Sequence, residues 1–323
     1  MRTLFSQVRR TTFTALALLL PLALSACGGS SENTSGDTAA ETTTNEKGSR
    51  TVTAPSWAAP LFSKAGPEGA AIMASSDYAV GQNRVSFLLV RDNNSLVRVP
   101  VADVYDKPSA DGPTRRTVAK LVPIGAGAST TGPDEVKEIY VANLDIPQTG
   151  KHWIAIQPRG VAFQGFQILD VKDEPEAVAI GERAPPSENP TTATLPAERI
   201  TTARPPDAAL LQYSVADSLA KRVPFVVAFA TPTYCESRTC GPTVDVVEAA
   251  RRRHEKAGVR FIHVEIYEGN NPGNGVNRWV KEWRLPTEPW VFVVDRQGIV
   301  RDRFEGAVSV GELERSIQRN LLR

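Results

Sequence analysis

Two cysteines five positions apart, Cys235 and Cys240, are the residues of this sequence best suited to carry chemistry. They lie in the segment TYCESRTCGP at 233–242, which follows the apolar run Val223–Ala230 and opens a predicted helix. The free N–H groups and the positive dipole end of a helix N-terminus favour a thiolate, the reactive form of cysteine. Five positions on a regular helix turn two side chains about 140° apart. We therefore expect Cys235 in the loop before the helix and Cys240 in or near its first turn.

The beginning of the sequence has the features of an export signal. Three arginines precede an apolar run at 13–24, which is too short for an ordinary transmembrane helix. The next residues, LSAC at 24–27, resemble the bacterial lipobox. This resemblance implies a lipoprotein signal peptide at 1–26 and lipidation of Cys27, so that the protein is anchored to the cell membrane on its extracytoplasmic face. Twin-arginine export through Arg9 and Arg10, or an uncleaved anchor, are the alternatives.

Export favours the disulfide form of the cysteine pair over the free thiols. Outside the cytoplasm, two nearby cysteines tend to form a disulfide. The sequence contains three cysteines, and because Cys27 is expected to carry lipid, Cys235 and Cys240 are the only two left as protein thiols.

Composition excludes several classes of protein. Hydrophobic residues make up 41% of the 323 residues and charged residues 23%, which is ordinary for a soluble globular chain and excludes a disordered or multi-span protein. Removal of the three leader arginines lowers the formal net charge from +1 to −2, so no basic excess indicates nucleic acid as a partner. Residues 28–50 contain no Val, Ile, Leu, Met, Phe, Trp or Tyr. We therefore expect 27–56 to be a disordered tether behind the lipidated cysteine.

Residues 70–172 have the pattern of an all-β domain. Short runs rich in β-branched and aromatic residues and bounded by turns are typical of a β-sandwich. The predicted strands are Arg84–Val90, Leu96–Tyr105, Val136–Leu144, Lys151–Gln157 and Ala162–Val171. The segments 140–144 and 150–153 resemble the late strands of bacterial immunoglobulin-like domains, which implies an immunoglobulin-like β-sandwich that serves as a binding or spacer module.

Strands and helices alternate in the last third of the sequence. Residues 173–209 are rich in Pro, Glu, Thr and Ala, and their prolines disfavour regular elements; we expect a Pro-rich linker, part of which runs along the next domain. The next predicted domain is 210–323, and from Val223 onward its residues predict the order β-α-β-α-β-β-α. The first strand, within Val223–Ala230, is continuously apolar, as expected for a strand that is buried on both faces.

This order of elements, with the cysteine pair after the first strand, resembles the thioredoxin-like superfamily. The matching proline is Pro289 in LPTEPWVFVVD at 285–295, and the resemblance implies that its peptide bond is cis and that it packs against the disulfide. The implied activity is thiol–disulfide exchange with exported proteins, without a cofactor or metal. Cys235 would attack or be attacked, Cys240 would resolve the mixed disulfide, and Pro289 would shape the partner groove. Glu236 and Glu288 would disfavour ionisation of the thiols, whereas Arg238 and the helix N-terminus would favour it, so the sign of the net effect stays open.

Departures from the thioredoxin pattern leave other functions open. Four residues separate the cysteines, whereas a thioredoxin has two. One alternative is a non-catalytic binding or adaptor lipoprotein with a structural disulfide. Another is copper-handling or peroxidase-like chemistry, because some peroxiredoxins have four intervening residues and Sco-type copper chaperones have three together with a distant histidine. Pro232 stands where a peroxidatic site has threonine, and His254 and His263 are badly placed for a copper ligand.

Overall fold

The computed structural model of the chain describes residues 42–44, 50–52, 56–62, 69–108, 112–126, 136–163, 165–235 and 239–322. The predicted signal peptide and the lipidation site at Cys27 lie outside the described residues. Most of the regular structure is β, with an eight-stranded sheet followed along the chain by a four-stranded sheet. None of the helices in the described ranges is long and apolar enough to cross a membrane.

Short elements form within and just after the segment predicted as a tether. Strands β1 (Thr42–Thr44) and β2 (Arg50–Val52) pair antiparallel. Threonine and valine are β-branched and favour extended backbone, which is consistent with this pairing. Helix α1 (Ala59–Phe62) follows, and Leu61 packs in a small cluster with Tyr105 of the first large sheet.

The first large sheet is built from strands whose side chains alternate between core and solvent. In Glu138–Ile146, for example, Leu144 and Ile146 are buried whereas Asn143 and Asp145 are exposed. The strands are β3 (Gly69–Met73), β4 (Tyr78–Ala79), β5 (Gly81–Arg91), β6 (Val101–Asp106), β7 (Arg115–Pro123), β8 (Glu138–Ile146), β9 (Gly150–Pro158) and β10 (Gly165–Lys172). Hydrogen bonds join them in the order β3-β5-β8-β7-β6-β9-β10-β4.

This all-β part differs in one respect from the predicted sandwich. Its eight strands form a single hydrogen-bonded series, whereas a sandwich would divide into two sheets. The sheet curls until the Gln167 side-chain amide on β10 donates to the backbone oxygen of Ala71 on β3 at 2.6 Å. The apolar core lies inside the curl, where the rings of Phe87 and Tyr140 stack with their centroids 5.5 Å apart.

The second sheet carries helices and has the predicted order of elements from its first strand onward, whereas the short helices at 197–200 and 215–220 before that strand are additional to the prediction. Its strands are β11 (Phe225–Phe229), β12 (Arg260–Val264), β13 (Trp290–Val294) and β14 (Val300–Glu305). The longer helices around them are α2 (Ala197–Ile200), α3 (Val215–Ala220), α4 (Cys240–His254), α5 (Arg278–Glu282) and α6 (Val310–Asn320), with short 3-10 turns at 208–211, 255–257, 268–270 and 272–274. The strand order is β12-β11-β13-β14, in which β12 is parallel to β11 and β13 is antiparallel to it.

Strand β11 is buried on both faces, as its continuous apolar run predicts. On one face Phe229 packs against Trp283, with ring centroids 5.2 Å apart. On the other face Val226 belongs to the same apolar cluster as Val247 of α4 and Leu313 of α6. Because β11 is packed on both faces, it is a rigid support for the loop that follows it, and this loop contains Cys235.

The Pro-rich segment 173–209 lies along the second sheet. The backbone N–H of Val178 donates to the carbonyl of Trp283 at 3.2 Å, and that of Ala184 donates to Gly298 at 2.9 Å. Val178 and Ala184 are also buried in the apolar cluster of that sheet. The segment is thus part of the second folded core.

A carboxylate on the second sheet joins the two sheets. Glu305, the last residue of β14, accepts hydrogen bonds from the backbone N–H groups of Ser76 and Asp77, both at 2.8 Å, and from the Ser76 hydroxyl at 2.7 Å. Glu305 is 9% exposed. Because a charged acceptor strengthens such bonds, this contact fixes the turn at 75–78 against the end of β14.

Ion pairs flank this contact on both sides. The guanidinium of Arg303 donates to the buried carboxylate of Asp77 at 2.9 Å, and that of Arg84 donates to Glu312 at 2.8 Å. Burial alone would raise the pKa of Glu312, but the charge of Arg84 together with hydrogen bonds from Arg84 and Ser309 outweighs burial and holds that pKa below its ordinary value. The sheets are therefore joined by paired and mostly buried charges.

We predict that Gly306→Ala loosens this joint. Gly306 has φ +72°, and a Cβ there would lie 2.3 Å from the backbone oxygen of Ala74. We expect the free energy of unfolding in urea to fall by about 1–3 kcal/mol more than in Gly258→Ala. Gly258 is a matched control because its φ is +78° with nothing within 4 Å of its Cβ position. Equal losses in the two variants would show that the close approach to Ala74 is unimportant.

Candidate functional site

The structure brings the two cysteines together as a disulfide. Cys235 lies in the loop after β11 and Cys240 is the first residue of α4, as their spacing predicts. Their sulfurs are bonded and their Cα atoms are 6.0 Å apart. Residues 236–238, between them, lie outside the described residues. Cys240 is fully buried whereas Cys235 is half-buried, so Cys235 offers the more accessible sulfur.

The Cys235 sulfur lies at the N-terminus of α4. The backbone N–H of Cys240 donates to Cys235 Sγ at 3.3 Å. This is the place where a capping side chain commonly accepts from the first turn of a helix. Helix α4 has 15 residues, so its dipole adds to the effect of this N–H group. Both favour a negative charge on the Cys235 sulfur when the disulfide is reduced.

Glu288 faces the disulfide from the loop between α5 and β13, and Pro289 follows it in that loop. A carboxylate oxygen of Glu288 and the two cysteine sulfurs all lie within 4.8 Å of one another. The Glu288–Pro289 peptide bond is cis, as the resemblance implies, and Pro289 is buried. A negative charge at this distance opposes the ionisation that the helix terminus favours.

A hydrogen-bond relay connects this loop to the joint between the sheets. The Thr287 hydroxyl donates to Glu305 Oε1 at 2.7 Å, and the indole N–H of Trp290 donates to the Thr287 oxygen at 3.1 Å. Glu305 in turn accepts from Ser76 and Asp77. The position of the loop that faces the disulfide therefore depends on residues of both sheets. The sequence gives no signal for this relay, because its members are far apart along the chain.

The first sheet also reaches the helix that carries Cys240. A Cβ built on Gly125, just beyond β7, would lie 3.5 Å from Cβ of Pro242 in α4. On another side of the helix is a groove of about 680 Å³ bounded by 203–207, Pro232, Gly241 and further α4 residues. Burial, and then the charge of Glu248, raise the pKa of Asp207 in this groove. The groove lies beside the disulfide and offers both apolar and charged surface.

The histidines do not contribute to this site. His263 is buried in β12, where its ring bonds to the carbonyl oxygen of Ala230 at 3.0 Å. Among the described residues, the one group of three cysteine, histidine or acidic side chains close enough to share a metal ion is Cys235, Cys240 and Glu288. Two thiolates and a carboxylate could ligate a metal only after the disulfide is reduced.

The sequence was compared with known proteins. No protein-family model matches it, and a search of curated proteins finds no match. Function is therefore inferred from the residues and their geometry.

We predict that Glu288→Gln makes reduced Cys235 more reactive. Removal of the negative charge beside the sulfurs favours the thiolate, so alkylation by iodoacetamide near neutral pH should become faster by about threefold to tenfold, with the pH profile displaced to lower pH. Glu138→Gln on the first sheet is a control that should leave the profile unchanged. An identical profile for Glu288→Gln and the parent protein would exclude Glu288 as an electrostatic influence.

Proposed function

We propose that this protein is a membrane-anchored, extracytoplasmic thiol–disulfide oxidoreductase that acts on exported proteins. The observation that carries the proposal is that the two sulfurs differ in solvent accessibility and in their position at the helix N-terminus. Cys235 is accessible and accepts the Cys240 N–H at the N-terminus of α4, whereas Cys240 is fully buried. Disulfide exchange requires one sulfur that a partner can reach and a second sulfur that attacks it afterwards.

The proposal includes a thioredoxin-like fold for the second domain. Support comes from the strand order, from the disulfide between β11 and α4, and from the cis proline before β13. The immunoglobulin-like resemblance of the first domain stays a prediction, and the continuous eight-stranded series does not favour it.

The proposed exchange begins with the reduced protein. The Cys235 thiolate attacks a disulfide of an exported protein, which forms a mixed disulfide and releases one partner sulfur as a thiolate that takes a proton. The Cys240 thiol then loses its proton and attacks Cys235 Sγ. This step restores the Cys235–Cys240 disulfide, releases the second partner thiol and transfers two electrons to the partner. The reverse sequence oxidises a partner dithiol, and Pro289 shapes the groove in which the partner lies.

The lipid anchor determines where this exchange occurs. Lipidated Cys27 would hold the protein at the outer side of the cell membrane, and the following segment would set the reach of the folded part. The partners are thus thiols or disulfides of other exported proteins, with no nucleic acid and no cofactor.

A non-catalytic adaptor with a structural disulfide is the second candidate. It is favoured by the close approach of Gly125, just beyond β7 of the first sheet, to Pro242 of α4, because this approach limits access to the disulfide from one side. Copper binding by the reduced sulfurs and Glu288 is a weaker candidate, because neither His254 nor His263 belongs to the group of possible ligands found among the described residues.

We predict that Cys240→Ser traps partners. Without the resolving sulfur, Cys235 should form stable mixed disulfides with a disulfide-bonded peptide, seen as a mass increase of the intact protein and reversed by dithiothreitol. Cys235→Ser is the matched control and should form far fewer adducts while folded, because Cys240 is buried. Equal trapping by both variants, or no trapping by either while circular dichroism shows a folded chain, would contradict the proposed roles.

A further inference from the structure

We propose that a cavity beside the end of β12 binds a small organic cation, such as a primary amine with a hydrogen-bond acceptor several bonds away. The cavity has a volume of about 400 Å³ and lies between the Pro-rich segment, the residues after β12 and helix α5. This proposal is independent of the redox function.

The first observation is a buried carboxylate of which only one oxygen has hydrogen-bond partners among the described residues. Glu265 is 4% exposed and lines the cavity. Its Oε1 accepts from the Thr201 hydroxyl at 3.2 Å and from the Thr202 N–H and hydroxyl at 2.5 and 2.7 Å. Its Oε2 is also buried but has no hydrogen-bond partner among the residues that the structure describes. A buried charged oxygen without a donor is costly, so a donor from a ligand is expected there.

The second observation is a buried donor on a residue that lines the same cavity. The indole N–H of Trp279 on α5 is buried and has no acceptor within the described ranges. A ligand that fills the cavity thus needs a donor for Glu265 and an acceptor for Trp279. An alkyl amine with a carbonyl group at its other end satisfies both requirements.

The charges around the cavity select a cation. Glu188, Glu265 and Glu268 line it together with one arginine, Arg199, and the buried His263. Because the carboxylates outnumber the cationic groups, an anion is repelled and a cation attracted. Tyr267 and Leu195, which are both partly exposed, offer surface for the body of the ligand. A desolvated carboxylate forms its strongest hydrogen bonds with a charged donor.

Residues that line or adjoin the cavity contact the loop that carries Cys235. Thr202, which donates to Glu265, also accepts hydrogen bonds from Thr233. The Thr233 N–H donates to the Thr202 hydroxyl oxygen at 3.2 Å, and the Thr233 hydroxyl donates to the Thr202 carbonyl oxygen at 2.7 Å. The ring of Tyr234, next to Cys235, meets the ring of Tyr267 edge-on at 6.4 Å between centroids. A bound ligand would therefore lie one residue layer from the disulfide loop.

Calorimetric titration of the full chain with N-acetylcadaverine tests the proposal. This probe has a primary ammonium group and a carbonyl oxygen, and N-pentylacetamide is its neutral counterpart. We expect saturable binding of the amine below about 10 mM and binding of the neutral amide at least about tenfold weaker. Glu265→Gln should weaken amine binding by about tenfold or more, whereas Glu268→Gln at the exposed rim should change it less.

Two results would overturn the proposal. One is the absence of saturable amine binding to the folded protein, which would mean that the cavity holds water only. The other is equal binding of the amine and the neutral amide, or unchanged binding in Glu265→Gln. If Glu265→Gln does not fold, Trp279→Phe removes the indole donor and should weaken binding of the amine by a few-fold, and unchanged binding in that variant counts against the proposal.

Discussion

The carboxylate of Glu305 is the interaction on which the arrangement of this protein depends. It accepts hydrogen bonds from Ser76 and Asp77 of the first sheet and from Thr287 of the loop that faces the disulfide. Gly306, the next residue, donates its N–H to the carbonyl of Pro289 at 2.8 Å. One buried charge therefore sets both the approach of the two sheets and the position of the loop opposite the sulfurs. In this account the first sheet is a structural part of the site.

Opposite electrostatic influences meet at Cys235. The Cys240 N–H and the dipole of α4 favour a thiolate, whereas the nearby carboxylate of Glu288 disfavours it. Because Glu288 belongs to the loop that Thr287 ties to Glu305, the balance between these influences depends on how firmly that loop is held. A site built in this way can be adjusted by residues that never touch the sulfurs.

Much of the second domain follows from the sequence because the evidence for it is local. The continuous apolar run of β11 and the five-position spacing of the cysteines each depend on neighbouring residues, and both correspond to the structure. The sequence does not predict strand β7 (Arg115–Pro123), because polar residues such as Thr117 lie on its more buried side whereas Val118 is exposed. The contacts of Glu305 and the unpaired oxygen of Glu265 could not be predicted, because they join segments that are distant in the chain and carry no motif.

The redox state of the disulfide in the folded protein is the most direct test of the account. The oxidised protein would be equilibrated with dithiothreitol buffers of known potential while free thiols are counted and circular dichroism follows the fold. We predict that dithiothreitol reduces the Cys235–Cys240 bond while the protein stays folded, with a reduction potential of the cysteine pair above about −300 mV. A bond that resists reduction until the domain unfolds would contradict it and would leave the disulfide a structural one.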